Sequence, residues 1–199
     1  RRKLTAGVVD QFYSRRVTVF DRVTPNPQLD DLDSATLHLR KFNIQHILGI
    51  GGGSVIDAAK VLSITLARDS VAPLGEILSD VESADWESSL PLVAVPTTAG
   101  TGAEVTPFAT VWDARQRKKH SLAHERLYPA HAVLDPKLTL SLQREGTLYP
   151  ALDMISHALE SLWNKNRTPT SEAFAVRALG LAHGCLPLVL KEPGNLRAR

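Results

Sequence analysis

The sequence has little cysteine, few aromatic residues and no strong excess of charge of either sign. A single cysteine, Cys185, occurs among 199 residues, which excludes an internal disulfide and a cysteine-rich zinc site. The 23 basic and 21 acidic side chains nearly balance, so there is no electrostatic footprint for nucleic acid or for a membrane surface. No apolar run approaches the roughly 20 residues of a membrane span. We therefore expect a cytoplasmic protein with neither nucleic acid nor a membrane as partner.

The hydrophobic content of 43% is ample for a packed core. Apolar periodicity predicts an α/β protein up to about residue 140, followed by an all-helical part over residues 141–199. Strands are predicted at 17–20, 46–50, 92–95, 108–112 and 131–134. Helices are predicted at 30–40, 54–67, 148–164 and 171–190. Residues 69–89 are predicted to form a loop-rich connection, and 113–119 a charged turn.

A glycine-rich turn, Gly51-Gly52-Gly53-Ser54, lies between the second predicted strand and the helix that follows it. Glycine lets the backbone turn sharply and approach a ligand closely. The first N–H groups of a helix, at the positive end of its dipole, suit a pyrophosphate. The alternative is an ordinary strand-to-helix turn with Ser54 as its N-cap, because the segment does not match the pattern G-x-G-x-x-G. On the local pattern alone, the two interpretations stand about equal.

A threonine- and glycine-rich segment, residues 96–106, follows the strand predicted at 92–95. Ligands of open α/β sheets bind beyond the carboxyl ends of the strands, so this segment is expected at the same edge as the glycine turn. Threonine hydroxyls can bond ribose and phosphate oxygens, or alternatively cap their own backbone. Its position after a core strand favours a binding role.

Asp153 and His157 are four residues apart on a predicted helix and therefore share one face. A carboxylate and an imidazole in apolar surroundings can hold a divalent metal such as Zn²⁺ or Fe²⁺. Two ligands do not make a site, and the pair alone favours an Asp–His hydrogen bond that stabilises the helix.

Four motifs in this order resemble the iron-containing (group III) alcohol dehydrogenases, a family with the dehydroquinate synthase-like fold. They are GGGSVIDAAK at 51–60, PTTAGTGAEVT at 96–106, YPAHAVLDPKLT at 128–139 and ALDMISHALE at 151–160. The resemblance implies a Rossmann-like, parallel-sheet N-terminal domain over residues 1–140. The start of an all-helical metal-binding C-terminal domain would occupy residues 141–199. The implied activity is hydride transfer between NAD or NADP and an alcohol or aldehyde, assisted by Fe²⁺ or Zn²⁺.

The resemblance also implies roles for individual residues. Asp153 and His157 match the family's first two metal ligands, and no side-chain nucleophile is expected. Asp57 would lie near the nicotinamide, and Lys119 would reach its ribose. The pyrophosphate would be held by the glycine turn, and the cleft lined by threonines of the second motif: Gly51, Gly52, Gly53 and Ser54; Thr97, Thr98, Thr101 and Thr106.

The chain departs from the family pattern at both ends. The family's first strand should precede residue 1, and its two further histidine ligands should follow residue 199. We reject His183 as a third ligand, because its helix resembles the one between the family's second and third ligands. The sequence therefore resembles an internal or truncated piece, which predicts low stability, weak metal binding and little turnover for this chain alone.

The substrate, the choice between NAD and NADP, the metal and the oligomeric state stay open at this point. A homodimer would be the commonest arrangement. Residues 161–166 resemble the branch that includes phosphonoacetaldehyde reductases. The alternatives are the same-fold glycerol dehydrogenases, maleylacetate reductases and dehydroquinate synthases, or an inactive nucleotide-binding fragment.

Overall fold

The structure is a computed structural model that describes residues 7–8, 10–12, 16–70, 73–80, 86 and 88–199. Strands and helices are interspersed up to residue 132, and only helices follow among the described residues. The strands are β1 (Ile47–Gly51), β2 (Leu92–Pro96), β3 (Phe108–Asp113), β4 (Lys118–Ala123) and β5 (His131–Ala132). The helices are α1 (Leu29–Leu39), α2 (Gly53–Thr65), α3 (Pro73–Ser79), α4 (Arg144–Trp163) and α5 (Pro169–Lys191).

Three strands form a parallel sheet in the order β1-β2-β5. Gly51 lies opposite Pro96 in the register, so β1 and β2 end at the same level. The N–H of Thr97 donates to the carbonyl of Gly51 at 2.8 Å and extends the pairing by one residue. The glycine turn and the threonine segment therefore start side by side at one edge of the sheet, as expected for strands of a parallel sheet.

The core lies between α1, α2 and the antiparallel hairpin of β3 and β4. Its side chains are mostly aliphatic, and Leu32, Val61 and Val111 are at most 3% exposed. The hydroxyls of Thr36 and Thr65, 2.7 Å apart, join α1 to α2 by a buried hydrogen bond. Arg40 donates to the carbonyls of Thr65, Arg68 and Ser70, so its guanidinium satisfies carbonyl groups at the C-terminal end of α2.

Helices α4 and α5 pack against each other and expose most of their surface. Within α4 only Ala158 is buried, and within α5 only Ala175, Ala182 and Val189. A capping box of Thr168 and Ser171 begins α5, which satisfies N–H groups at its first turn. The division of the chain into two domains near residue 140 stays a prediction.

The α/β class with a parallel sheet is confirmed, and several predicted elements differ from the structure. Residues 17–20 form no strand, because β-branched residues make a strand only where a partner backbone is available. The connection predicted over 69–89 contains α3, although residues 71–72, 81–85 and 87 of it lie outside the described residues. The charged turn predicted at 113–119 is a turn over 114–117 followed by β4, and β5 is two residues long.

The expectation that no apolar run approaches the length of a membrane span is wrong for helix α5. By length and composition alone, this helix is long and apolar enough to cross a membrane. Most of its apolar stretch is exposed. The same length and composition also occur in core helices of water-soluble proteins, so one such helix is weak evidence for a membrane span.

Candidate functional site

The glycine turn leads from β1 into α2 without a side-chain cap. Gly52 is the N-cap residue, with φ −78° and ψ −176°. Ser54 is already inside the helix, and its Oγ accepts the N–H of Asn26 at 3.3 Å, so the alternative with Ser54 as N-cap is wrong. The first N–H groups of α2 therefore remain available to a ligand at the positive end of the helix dipole.

Glycine is needed in this turn for space rather than for an unusual backbone conformation. Among the described glycines only Gly100 and Gly102 have positive φ. A Cβ built on Gly52 would lie 3.2 Å from Thr98 Oγ1, and one on Gly53 would lie 3.0 Å from Thr101 Cγ2. The two segments thus form one surface, here called the cradle and defined as residues 51–54 with residues 97–101. A side chain on the turn would press into this surface.

The threonines of the cradle differ in their hydrogen bonds. Thr97 and Thr98 are half-buried, and the Oγ1 of Thr101 accepts the N–H of Ala103 at 3.3 Å. Local capping, the alternative expected for this segment, thus occurs at Thr101. Thr106, at the far end of the segment, is held by the lysine that ends the motif at 51–60, a residue for which the sequence predicts no role.

That lysine is Lys60, which is fully buried in α2. Its Nζ donates to the carbonyl of Thr106 at 2.7 Å, to Thr106 Oγ1 at 3.2 Å and to the carbonyl of Phe108 at 2.7 Å. An ammonium group has three donors, and all three are used. The signal that could have found Lys60 is its place between apolar residues of a buried helix, where a charge is rare unless it has partners.

Asp57 lies one turn before Lys60 and contacts the same strand. Its Oδ2 accepts the N–H of Thr110 at 3.0 Å. Burial raises the pKa of Asp57, while the hydrogen bond from Thr110 and the charges of Lys60 and Lys119 oppose that rise. Lys119 itself is exposed on β4, paired with Trp112 across the hairpin. The structure therefore places Lys119 close enough to Asp57 for an electrostatic interaction.

Asp153 and His157 lie on α4 with His157 Nε2 3.7 Å from Asp153 Oδ1. This distance is too long for a hydrogen bond, so the helix-stabilising Asp–His hydrogen bond is not formed. Both side chains are about half-exposed, at 48% and 57%, and both present their polar atoms to the same side. No group of three or more His, Cys, Asp or Glu side chains that could hold a metal occurs in the described part of the chain.

The cradle touches the helix that carries this pair. Gly100 has a φ of +154°, and a Cβ on it would overlap the carbonyl of Pro150 in α4. Pro150 lies three residues before Asp153. The glycine turn thus contacts the threonine segment, and the threonine segment contacts the N-terminal half of α4.

The family model for iron-containing alcohol dehydrogenases matches residues 2–136. The chain belongs to the iron-containing alcohol dehydrogenase family. The strands and helices that carry the cradle lie within the matched region, and the expected Rossmann-like, parallel-sheet fold of this family is confirmed.

Similar proteins include the probable alcohol dehydrogenase EutG of Escherichia coli strain K12, 31% identical over 98% of this chain and 49% of that protein. The phosphonoacetaldehyde reductase of Streptomyces viridochromogenes is 37% identical over 85% of this chain and 44% of that protein. Among solved structures, the sulfoacetaldehyde reductase of Bifidobacterium kashiwanohense in complex with NAD⁺ superposes with a TM-score of 0.88. The two chains are 31% identical, and the match covers 98% of this chain and 51% of the reductase chain. The present chain therefore spans about half the length of the relatives that it matches.

Proposed function

We propose that this chain supplies the cofactor-binding half, and two metal ligands, of an NAD(P)-linked alcohol dehydrogenase or aldehyde reductase. The observation that carries the proposal is the cradle at the carboxyl edge of the parallel sheet. There, an uncapped helix N-terminus lies beside threonine side chains, at glycines where an added Cβ would be crowded by Thr98 and Thr101. The function is expected to depend on a nicotinamide cofactor and a divalent metal, with Fe²⁺ as the first candidate for the metal and Zn²⁺ as the second.

The cradle fits the pyrophosphate of a dinucleotide. Free N–H groups at the start of α2 favour an anion, and the side-chain-free surface of Gly52 and Gly53 permits close approach of the backbone. Gly51, Ser54, Thr97, Thr98 and Thr101 would complete the binding surface. Asp57, Thr106 and Lys119 would line its nicotinamide end.

Asp153 and His157 fit a divalent metal as part of a ligand set. A carboxylate oxygen and an imidazole nitrogen suit Fe²⁺ or Zn²⁺, and affinity among divalent metals favours Zn²⁺ over Fe²⁺. Because the described residues offer no third donor beside them, this pair alone would hold the ion weakly.

When bound, the nicotinamide supplies hydride chemistry and the metal supplies Lewis-acid chemistry at the substrate oxygen. The chain's own residues would hold the cofactor and orient it. The cradle fixes the cofactor along the sheet edge, and the contact of Gly100 with Pro150 sets α4 beside it. Positioning of this kind accounts for a large part of the rate of bimolecular reactions on enzymes.

The substrate proposed is a small alcohol or aldehyde, with an anionic aldehyde such as phosphonoacetaldehyde as the first candidate. Support comes from the 37% identity to a phosphonoacetaldehyde reductase and from the structural similarity to a sulfoacetaldehyde reductase. Both names describe a two-carbon aldehyde with an acidic group. A second candidate, binding of a nucleotide without turnover, is favoured because no third His, Cys, Asp or Glu side chain is grouped with Asp153 and His157 in the described part of the chain.

The decisive experiment titrates the full chain with NADH and NADPH, using energy transfer from tryptophan to the reduced nicotinamide. It then assays oxidation of NADH with phosphonoacetaldehyde and acetaldehyde in the presence of Fe²⁺ or Zn²⁺. Cofactor binding with metal-dependent turnover would support the dehydrogenase. Binding without turnover would support the second candidate, and the lack of any nucleotide binding would contradict both.

We further propose that the protein is cytoplasmic and water-soluble, with α5 as an ordinary helix rather than a membrane span, and that it forms a homodimer. The support for a non-membrane role of α5 is its packing against α4. Sedimentation of the full chain without detergent tests the water solubility and the homodimer. Aggregation that detergent reverses would contradict solubility, and a single monomeric species would contradict the dimer.

A further inference from the structure

Over residues 106–110, the backbone edge that faces α2 is bonded to side chains of that helix. Successive residues of a strand direct their backbone groups to opposite edges. The odd-numbered residues of β3 face β4, as the bond from the N–H of His124 to the carbonyl of Pro107 indicates. The even-numbered residues, from Thr106 to Thr110, present their groups to α2. There Lys60 donates to the carbonyls of Thr106 and Phe108, and Asp57 accepts the N–H of Thr110.

Lys60 and Asp57 belong to the same helix that begins at the glycine turn. They are three residues apart, so both lie on one face of α2. Through them, α2 is bonded to the last residue of the threonine segment and to the hairpin that carries Lys119. The glycine turn and the hairpin would form the two sides of the bound cofactor's site, here called the cofactor groove. They are joined through one buried ammonium group and one carboxylate.

We propose that Lys60 is a positioning residue that fixes the hairpin and Thr106 relative to the glycine turn and so sets the width of the cofactor groove. The inference rests on the proposed function, because it assumes that the groove binds a nicotinamide dinucleotide. Among the predicted cofactor positions, Thr106 accepts hydrogen bonds from Lys60, and Asp57 interacts with its charge. Lys60 acts through Thr106, Phe108 and the strand that they begin.

The charge at this point also supports a specific role. A buried ammonium is costly unless its partners compensate for lost hydration. Burial lowers the pKa of Lys60 to about 8, while the carboxylates of Asp57 and Glu104 oppose the shift. A methionine would fill similar space without this cost, so a role in packing alone would not need a lysine.

The test compares Lys60→Met with two controls in the full chain. Thr65→Val removes a buried hydrogen bond from the same helix, to Thr36, and controls for general loss of stability. Lys41→Met removes an exposed lysine and controls for charge. Each variant is titrated with NADH well below its melting temperature. Amide hydrogen exchange of residues 106–113 is then measured without any ligand.

We expect Lys60→Met to weaken NADH binding by about tenfold or more, since a hydrogen-bonded charge is lost at the groove wall. We also expect it to increase exchange in residues 106–113. Thr65→Val and Lys41→Met should change NADH affinity by less than about twofold. Binding of Zn²⁺ should stay unchanged in all three variants, because α4 is not bonded to Lys60.

Two results would overturn the inference. One is a folded Lys60→Met that binds NADH as the unmodified chain does. The other is a Thr65→Val that loses as much affinity as Lys60→Met. If the unmodified chain binds no NADH, the proposed function fails. Hydrogen exchange then decides separately whether Lys60 holds the strand, and unchanged exchange in Lys60→Met would also remove the structural part of the inference.

Discussion

Gly100 lies against the backbone carbonyl of Pro150, and no side chain could occupy its position without moving one of the two segments. The contact joins the threonine segment to α4 three residues before Asp153. Because backbone meets backbone, neither side can adjust by a change of rotamer. The placement of the Asp153–His157 pair relative to the cradle therefore depends on a residue without a side chain.

Replacing Gly100 by alanine should lower the free energy of unfolding by about 2–4 kcal/mol, from overlap with Pro150 and from its φ of +154°. The matched control is Gly102→Ala. Gly102 has a φ of +63° and no atom within 4 Å of an added Cβ, so only backbone strain of about 1 kcal/mol is expected. Urea denaturation measures both. Equal losses would show that the Pro150 contact is not tight.

Replacing Gly53 by alanine should weaken NADH binding by about tenfold, because the new methyl group would occupy the surface where the backbone meets the ligand. An added Cβ there lies 3.0 Å from Thr101 Cγ2. The control is Gly184→Ala, where an added Cβ has no atom within 4 Å. Because Gly184 lies inside α5, this variant should raise the free energy of unfolding by about 0.5–1 kcal/mol without a change in NADH affinity. Fluorescence titration with NADH compares the two. Normal affinity in Gly53→Ala would place the cofactor elsewhere.

The stability of the protein should rise with pH in the window set by Lys60. Its pKa falls from 10.5 to about 8 on folding. Between these values the unfolded chain holds the proton and the folded chain does not, so the free energy of unfolding increases as pH rises from about 8 to 10.5. Chemical denaturation at several pH values should show this slope relative to Lys60→Met. An identical pH dependence in the two proteins would contradict the lowered pKa.

Loss of His157 should abolish binding of a divalent metal at α4. Co²⁺, whose visible absorption reports on its ligands, is a suitable probe for the Asp153–His157 pair. His157→Ala should remove the metal-dependent absorption, and Asp153→Asn should weaken binding. His183→Ala is the matched control, since His183 is exposed on the neighbouring helix and is not expected to bind metal. If His183→Ala has the larger effect, the assignment of the ligands is wrong.

The sequence predicts the elements that carry strong periodicity. The strand before the glycine turn, the helix after it and the two long helices are all present within a few residues of their predicted bounds. Strand β4 escaped prediction because Lys118, Lys119 and His120 give it no apolar alternation, and its pairing with β3 decides its conformation. Helix α3 is only seven residues long, too short for helical spacing to stand out within a polar region.

In the candidate site, too, the sequence predicts features that lie within one short segment and not contacts between distant segments. The cradle was predicted because glycine and threonine are recognisable at the ends of strands. Lys60 was not, because its partners Thr106 and Phe108 lie more than forty residues away in the sequence. The Asp153–His157 pair follows from helical spacing alone, and its role as a pair of metal ligands stays a prediction.

The side chains that hold β3 also decide what cannot bind there. An unpaired strand edge exposes a row of donors and acceptors that another chain can use to extend the sheet. On β3 the carbonyls of Thr106 and Phe108 and the N–H groups of Thr110 and Trp112 are already occupied, by Lys60, Asp57 and the carbonyl of Pro27. These four groups are therefore not available to pair with a strand of another molecule. A variant that lacked both charged side chains would expose this edge to strands of neighbouring molecules.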